Sequence, residues 1–250
     1  RLQLYLEFDR PLSREELDAF RPLLLRRAER EPLQHILGRT AFRELVLVTD
    51  ARALIPRPET EVLVQAVLDW AGEEAGAGKG LTALDVGTGG GAIALSLALE
   101  GPFRRVVATE RSEEALALAR ENAEGAGLEE RVDLRPGDLF GPVAEEGPFD
   151  AVVSNPPYVA REEEPELPPE VREWEPREAL IAGPEGTEVI RRLVEGAPPH
   201  LRSGGLLALE IGAGQGVEVR RIVEDAGGYR EPEIRRDLAG RERILLAFRR

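Results

Sequence analysis

The chain has 250 residues, 42% of them hydrophobic, and a formal net charge of −14. That is enough apolar material for one large domain or a domain with an appendage, while no apolar run reaches membrane-spanning length and the first residues carry no basic-then-apolar leader pattern, so a cytoplasmic protein with no membrane partner is expected. With no cysteine and only His35 and His200 as histidines, disulfides, thiolate metal sites and a cysteine nucleophile are excluded and no metal is expected. The acidic balance speaks against direct nucleic-acid binding, which calls for a basic surface.

In chain order, residues 13 to 30 predict a helix. Ser13 stands before Glu15 and Glu16 as a cap, Leu17, Phe20, Leu24 and Ala28 recur at helical spacing, and Pro22 is placed to distort it. From Pro32 to Pro56 the apolar residues Phe42, Leu45, Leu47 and Leu54 lie among turn residues and suggest a β-hairpin. Pro58-Glu59-Thr60-Glu61 marks a helix start, with proline and acids in the first turn, and that helix is expected to reach Trp70. Ala71 to Gly80 reads as a small-residue linker.

Beyond Gly80 the pattern alternates. Strands are predicted at 81–86, 105–110, 132–135, 149–154 and 206–211, with helices near 93–99, 113–124 and 217–226. Two last strands, 233–237 and 243–248, have no helix between them and suggest a terminal antiparallel hairpin. Such alternation implies an α/β fold with a parallel sheet covered on both faces. Ligands in these sheets bind beyond the carboxyl ends of the strands. The acid-rich stretch Glu162 to Glu178, which contains four prolines, reads as a mobile surface loop.

The first strand of this region ends in Asp85-Val86-Gly87-Thr88-Gly89-Gly90-Gly91. Glycines there allow a sharp turn and close approach of a ligand to the main chain. A dinucleotide loop spaces its glycines G-x-G-x-x-G to seat a pyrophosphate. Here the spacing is G-x-G-x-G, and Asp85 would repel a pyrophosphate but suit a cationic ligand. The second strand ends at Glu110, well placed to accept from two ribose hydroxyls. The third ends near Asp138 and Leu139, an acid and an apolar neighbour suited to adenine. Together these ends point to S-adenosyl-L-methionine, which carries a sulfonium and an ammonium but no phosphate.

The fourth strand ends in Asn155-Pro156-Pro157-Tyr158. Each proline fixes φ and removes a backbone donor, and Asn155 is pushed towards extended backbone by the proline after it. The motif suits a planar NH2 group, either a carboxamide or the exocyclic amine of a base. The Asn155 side-chain oxygen and the Pro156 carbonyl would accept its two hydrogens, and Tyr158 would pack against the acceptor plane. Catalysis would then come from positioning and electrostatics.

Several further segments resemble one family. Pro32-Leu33-Gln34-His35-Ile36-Leu37-Gly38 with Phe42, Leu54-Ile55-Pro56-Arg57-Pro58-Glu59-Thr60-Glu61, Pro176-Arg177-Glu178-Ala179-Leu180, Leu209-Glu210-Ile211-Gly212 with Gln215, and Arg236-Asp237-Leu238-Ala239-Gly240 with Arg243 are similar to segments of the release factor glutamine methyltransferases. The resemblance covers about residues 32 to 248. It implies a Rossmann-like class I adenosylmethionine-dependent methyltransferase with a mostly parallel seven-stranded sheet. It also implies N5-methylation of the glutamine in the Gly-Gly-Gln motif of class I peptide chain release factors. By resemblance, Gly87, Thr88, Gly89, Gly90, Gly91, Glu110, Leu139 and Asn155 line the cofactor site, and Asn155, Pro156, Pro157 and Tyr158 bind the acceptor glutamine. Gly90 stands where serine or threonine is more usual.

The expected organisation is a remnant of an amino-terminal helical recognition domain over 1–31, a hairpin linker over 32–56 and the methyltransferase domain over 57–250. Since the chain contains no methionine, some amino-terminal sequence is expected to be missing. Two other readings stay open: a nucleic-acid adenine N6-methyltransferase, whose chemistry the Asn-Pro-Pro-Tyr motif serves equally well, and a non-catalytic adenosylmethionine-binding module. For Arg57, Glu59 and Glu61 a pocket-wall role stands beside that of a capped helix with surface charge, and for 176–180 simple loop packing is preferred.

Overall fold

The structure is a computed structural model that describes residues 5–76, 80–230 and 232–250. The first residues of the 1–31 segment and the middle of the Ala71–Gly80 linker lie outside the described residues.

Strands β1 (Arg39–Phe42) and β2 (Leu45–Val48) form the expected antiparallel hairpin. The main sheet contains β3 (Leu81–Val86), β4 (Phe103–Glu110), β5 (Val132–Pro136), β6 (Phe149–Ser154), β9 (Leu201–Glu210), β10 (Glu233–Arg236) and β11 (Glu242–Phe248). A short parallel pair, β7 (Val159–Ala160) and β8 (Ile181–Gly183), lies apart from it. The order across the main sheet is β10-β11-β9-β6-β3-β4-β5. Pairings from β5 through β9 are parallel, and β11 is antiparallel to both of its neighbours. The predicted seven-stranded sheet and its terminal antiparallel hairpin are both present.

The central parallel strands β3, β4, β6 and β9 are largely apolar on both faces, as a doubly covered sheet requires. Ala83, Val106, Ala108, Ala151, Val153, Leu206 and Ala208 pack on one side with the helices Pro58–Glu74 and Ala92–Glu100. Leu84, Val107, Val152, Leu207 and Leu209 alternate with them and pack on the other, against the helices Glu188–Gly196 and Gly216–Ala226. Helix Glu188–Gly196, a crossover between β6 and β9, was not anticipated: Pro-Glu-Gly before it and Gly-Ala-Pro-Pro after it hide a short apolar stripe formed by Ile190, Leu193 and Val194.

The register brings the functional strand ends together. Val86 pairs with Thr109 and Asp85 with Val153. Gly87, Glu110 and Asn155 therefore leave the sheet side by side. The order in which parallel strands are added reverses at β3: β4 and then β5 lie on one side of it, and β6 on the other. That is the switch point where a crevice opens.

Three features differ from expectation in ways that bear on packing. Helix Pro58–Glu74 runs past Trp70, because Ala71 is fully buried and extends its packed face. Helix Arg14–Ala28 has the predicted start, with a reciprocal capping box between Ser13 and Glu16, but Leu17, Phe20 and Leu24 are exposed. Finally, the stretch 162–178 is folded back between β7 and β8 as 3-10 and helical turns. It is pinned by Glu170 to Arg27 and Arg30 at 2.9 and 2.6 Å and by the buried carboxylate of Glu175. Its charges are structural partners as well as surface. No helix among the described residues is long and apolar enough to cross a membrane.

Candidate active site

At the switch point lies an open cleft, the concave kind of surface that small-molecule sites use. It is lined by Gly87 to Gly90, Glu110, Asp138, Leu139 and Asn155 to Pro157, together with Ala53, Leu54, Pro56 and Thr60 from the segment before and into helix Pro58–Glu74. Pro176, Glu178 and Ala179 close one side.

The glycine loop is held from below. Gly87 and Thr88 N–H groups donate to the Thr109 carbonyl at 2.8 and 3.0 Å. Gly91 begins helix Ala92–Glu100 at φ +91°, in the left-handed region that glycine tolerates, and its missing Cβ leaves room for Leu95. A Cβ at Gly87 or Gly89 would meet nothing within 4 Å, so the space over the loop is open to a ligand. At Gly90 a Cβ would make only ordinary contacts, at 3.5 Å and beyond, with Leu118, Asn122 and Ala53. The departure to glycine there is not enforced by packing. Asn122 ties this loop to the hairpin: its Nδ2 donates to the Gly90 carbonyl at 2.9 Å and its Oδ1 accepts from Val48 N at 2.7 Å.

Asp85 is the chief correction. Expected as a cofactor contact, it is fully buried and does not line the cleft. Its Oδ2 accepts from the Thr88 hydroxyl at 2.6 Å and from Ala94 N at 3.1 Å, while Oδ1 has no partner. The carboxyl is a strut between the loop and the helix start, and burial pushes its pKa up to about 7. Glu110 does line the cleft. Its oxygens accept from Gly89 N and Ser112 N, both at 2.9 Å, which fixes the carboxylate and leaves each oxygen a further lone pair. Asp138 lines the cleft too, but its carboxylate is turned to Arg192 at 2.5 Å. Leu139 sits at φ +48° with its carbonyl held by the Thr109 hydroxyl at 2.9 Å.

At the acceptor end, Asn155 Nδ2 donates to Thr60 Oγ1 at 3.0 Å. The Thr60 hydroxyl in turn donates to Glu210 Oε2 at 2.6 Å. Glu210 Oε1 receives the Tyr158 hydroxyl at 3.3 Å. No hydrogen bond from a described residue reaches Asn155 Oδ1. Glu210 is 1% exposed, and burial raises its pKa against the pull of Thr60, Arg243 and Tyr158. Tyr158 thus departs from expectation: it is absent from the cleft lining, its ring lies 5.8 Å from the Arg243 guanidinium, and burial pushes its pKa up to about 12. It braces the turn instead of facing the cleft. Gln215 completes the brace, with its Nε2 donating to the Tyr158 carbonyl at 2.9 Å.

The segment 54–61 has a structural use for each charged or hydroxyl side chain. Arg57 pairs with Glu175, whose other oxygen accepts from Ile55 N at 3.2 Å. Glu59 pairs with Arg241 at 3.0 Å, and Glu61 accepts from Arg43 N at 3.1 Å. Of this segment Leu54, Pro56 and Thr60 line the cleft, whereas Arg57, Glu59 and Glu61 are absent from its lining and hold neighbouring segments instead. Thr60, Glu175, Arg192 and Glu210 were not picked out from sequence. Thr60 and Glu210 stood inside noted segments, but nothing in their spacing showed that they would meet.

Comparison with known proteins places this geometry. A family model described as the methyltransferase small domain matches residues 60–167, and one described as the PrmC N-terminal domain matches residues 1–38. The release factor glutamine methyltransferase of Geobacter sulfurreducens is 46% identical over 227 residues, covering 91% of this chain and 77% of that protein. Its counterpart from Rhodopirellula baltica is 40% identical over 245 residues, covering 98% of this chain and 83% of that protein. Among solved structures, a methyltransferase from Pyrococcus furiosus superposes with a TM-score of 0.62 at 24% identity, covering 83% of this chain and 90% of that one. A ribosomal protein L11 methylase from Lactobacillus delbrueckii gives a TM-score of 0.55 at 22% identity, covering 79% and 81%. At these identities the structural likeness shows the fold alone.

Proposed function

The chain belongs to the release factor glutamine methyltransferase family and is a protein-glutamine methyltransferase, and we propose that its donor is S-adenosyl-L-methionine and its acceptor the Gly-Gly-Gln glutamine of class I peptide chain release factors, methylated at N5. The cleft fits that donor. Its floor is backbone with open space over Gly87 and Gly89, and Glu110 presents a fixed carboxylate beside it. Glu110 would hold the ribose hydroxyls, Leu139 would cover the adenine, and Gly87 to Gly91 would lie along the remainder. Asp138, committed to Arg192, would reach the adenine amine only by sharing its carboxylate. When bound, the cofactor supplies a sulfonium methyl that passes to the amide nitrogen, the S–C pair staying on sulfur and one N–H proton leaving to water.

The residues of the chain do the orienting. Asn155 Oδ1 and the Pro156 carbonyl accept the two amide hydrogens, and the two prolines keep these acceptors from moving. An amide nitrogen is a weak nucleophile because its lone pair is delocalised; holding both hydrogens favours pyramidalisation as the new bond forms. Fixing the acceptor in this way lowers the barrier by several kcal/mol, with about 7–11 reached only by the best-oriented partners. The observation that carries the reading is Asn155, whose Nδ2 is committed to Thr60 while Oδ1 takes no described partner in a residue that lines the cleft.

We assign residues 57–250 to catalysis, 32–56 to a hairpin that walls the cofactor loop, and 1–31 to recognition of the release factor in the cytoplasm. The net charge of −14 supports a protein acceptor over a nucleic acid. The test is incubation with release factor and labelled cofactor, followed by mass mapping. Label on the Gly-Gly-Gln glutamine is expected; label in ribosomal RNA or DNA with an unlabelled release factor would overturn the reading.

A further inference from the structure

The amide of Asn155 has two ends of opposite character: Oδ1 only accepts and Nδ2 only donates. A half-turn of the side-chain amide exchanges them with little change in shape. For an amide beside the acceptor site that choice matters, because Oδ1 receives an N–H whereas Nδ2 receives a carboxylate oxygen.

The fold makes the choice behind Asn155. Thr60 Oγ1 carries one proton, and that proton is given to Glu210 Oε2 at 2.6 Å. With its proton committed, Oγ1 is an acceptor on the side facing Asn155, and only Nδ2 can satisfy it, at 3.0 Å. The chain of donors ends on a buried carboxyl that also takes the Tyr158 hydroxyl and feels the charge of Arg243. Every link is oriented by the next, and Glu210 receives at both of its oxygens, Oε2 from Thr60 and Oε1 from Tyr158.

We infer that Thr60 and Glu210 are positioning residues that lock the Asn155 amide with Oδ1 towards the acceptor, so that the site selects a carboxamide over a carboxylate of the same shape. The inference rests on the methyl-transfer reading given above. Glutamine and glutamate differ by an NH2 in place of an oxygen, which apolar packing cannot separate. An acceptor that cannot turn into a donor separates them, because the carboxylate brings lone pairs against a lone pair.

The test uses the full chain, a class I release factor, and the same release factor with glutamate at the acceptor position as an inhibitor. Thr60→Val keeps the shape and removes the hydroxyl; Thr60→Ser keeps the hydroxyl. Thr60→Val is expected to lower kcat by roughly 10- to 100-fold, to leave adenosylmethionine affinity unchanged, and to strengthen inhibition by the glutamate form. Thr60→Ser restores both kcat and discrimination. Glu210→Gln, whose amide can donate to Thr60 Oγ1 and so release the hydroxyl proton towards Asn155, produces the same pair of changes and carries the test if Thr60→Val does not fold. Wild-type kcat in a folded Thr60→Val, equal losses in the valine and serine variants, or unchanged inhibition by the glutamate form in both valine and glutamine variants overturns the inference. A wild-type enzyme that methylates no release factor overturns the functional reading itself, a result visible before any variant is made.

Discussion

Arg57 and Glu175 stand 118 residues apart in the chain and meet as an ion pair in which the Glu175 side chain is 1% exposed. The pair joins the start of helix Pro58–Glu74 to the folded-back segment between β7 and β8, and so shuts the side of the cleft where Pro176 and Ala179 lie. Burial raises the Glu175 pKa, and the Arg57 charge and hydrogen bond oppose that rise.

Removing the cation strands the anion. Arg57→Met is expected to destabilise the protein by about 3–5 kcal/mol, as breaking a buried pair does. Adding Glu175→Gln should recover more than half of the loss, because no buried charge is then left without its partner. Urea denaturation of the wild type, both single variants and the double variant measures the coupling. Additive single effects would show that the pair is not coupled.

Asn155→Ala removes the acceptor oxygen and is expected to cut methyl transfer by roughly 10²–10³-fold, the scale of losing one preorganised polar contact at a reacting centre. Cofactor affinity, measured by calorimetry, should change little, since the loop and Glu110 are untouched. A variant with near-normal turnover on release factor would remove Asn155 from the mechanism.

Glu110 predicts the reverse split. Its carboxylate holds Gly89 N and Ser112 N as well as facing the cleft. Glu110→Ala should weaken cofactor binding by roughly 10- to 100-fold, the worth of ~1.5–3 kcal/mol for hydrogen bonds to a charged group. Turnover at saturating cofactor should fall far less. Unchanged affinity in titration calorimetry would count against the ribose assignment.

Asp85 gives a pH dependence. Its carboxyl has an ordinary value of 3.8 and is pushed up to about 7 in the fold by burial. The folded state therefore binds a proton that the unfolded state has already released between these values. Stability from this group is complete below about pH 4 and is lost as pH rises to about 7, by at most about 4 kcal/mol. Asp85→Asn removes the slope. Its unfolding free energy relative to wild type should improve from about pH 4 to about pH 7 and level off above that, and a difference independent of pH would show that Asp85 is ionised throughout.

Much of the molecule was legible from residue order, for reasons that act locally. Strands β3, β4, β6 and β9 are written as apolar runs, and a run buried on both faces reads the same whatever surrounds it. Pro58 at a helix start, the capping residues Ser13 and Glu16, and the glycines before Ala92 declare their geometry through φ and hydrogen bonding within a few positions. The rigid turn at Asn155-Pro156-Pro157 and the acid ending β4 were visible for the same reason, and so was the cleft between them.

Direction and burial of individual side chains belonged to the tertiary structure. Asp85 lies near the end of an apolar strand as a ligand-facing acid would, yet helix Ala92–Glu100 turns its Ala94 amide onto it and the side chain is fully buried. Tyr158 turns from the cleft because Glu210 lies behind it, and Thr60 reaches that same carboxylate across 150 residues of chain. Local sequence sets backbone shape through sterics that act over a few bonds. Which polar atom finds which partner depends on how strands distant in sequence are registered, and only the assembled sheet supplies that.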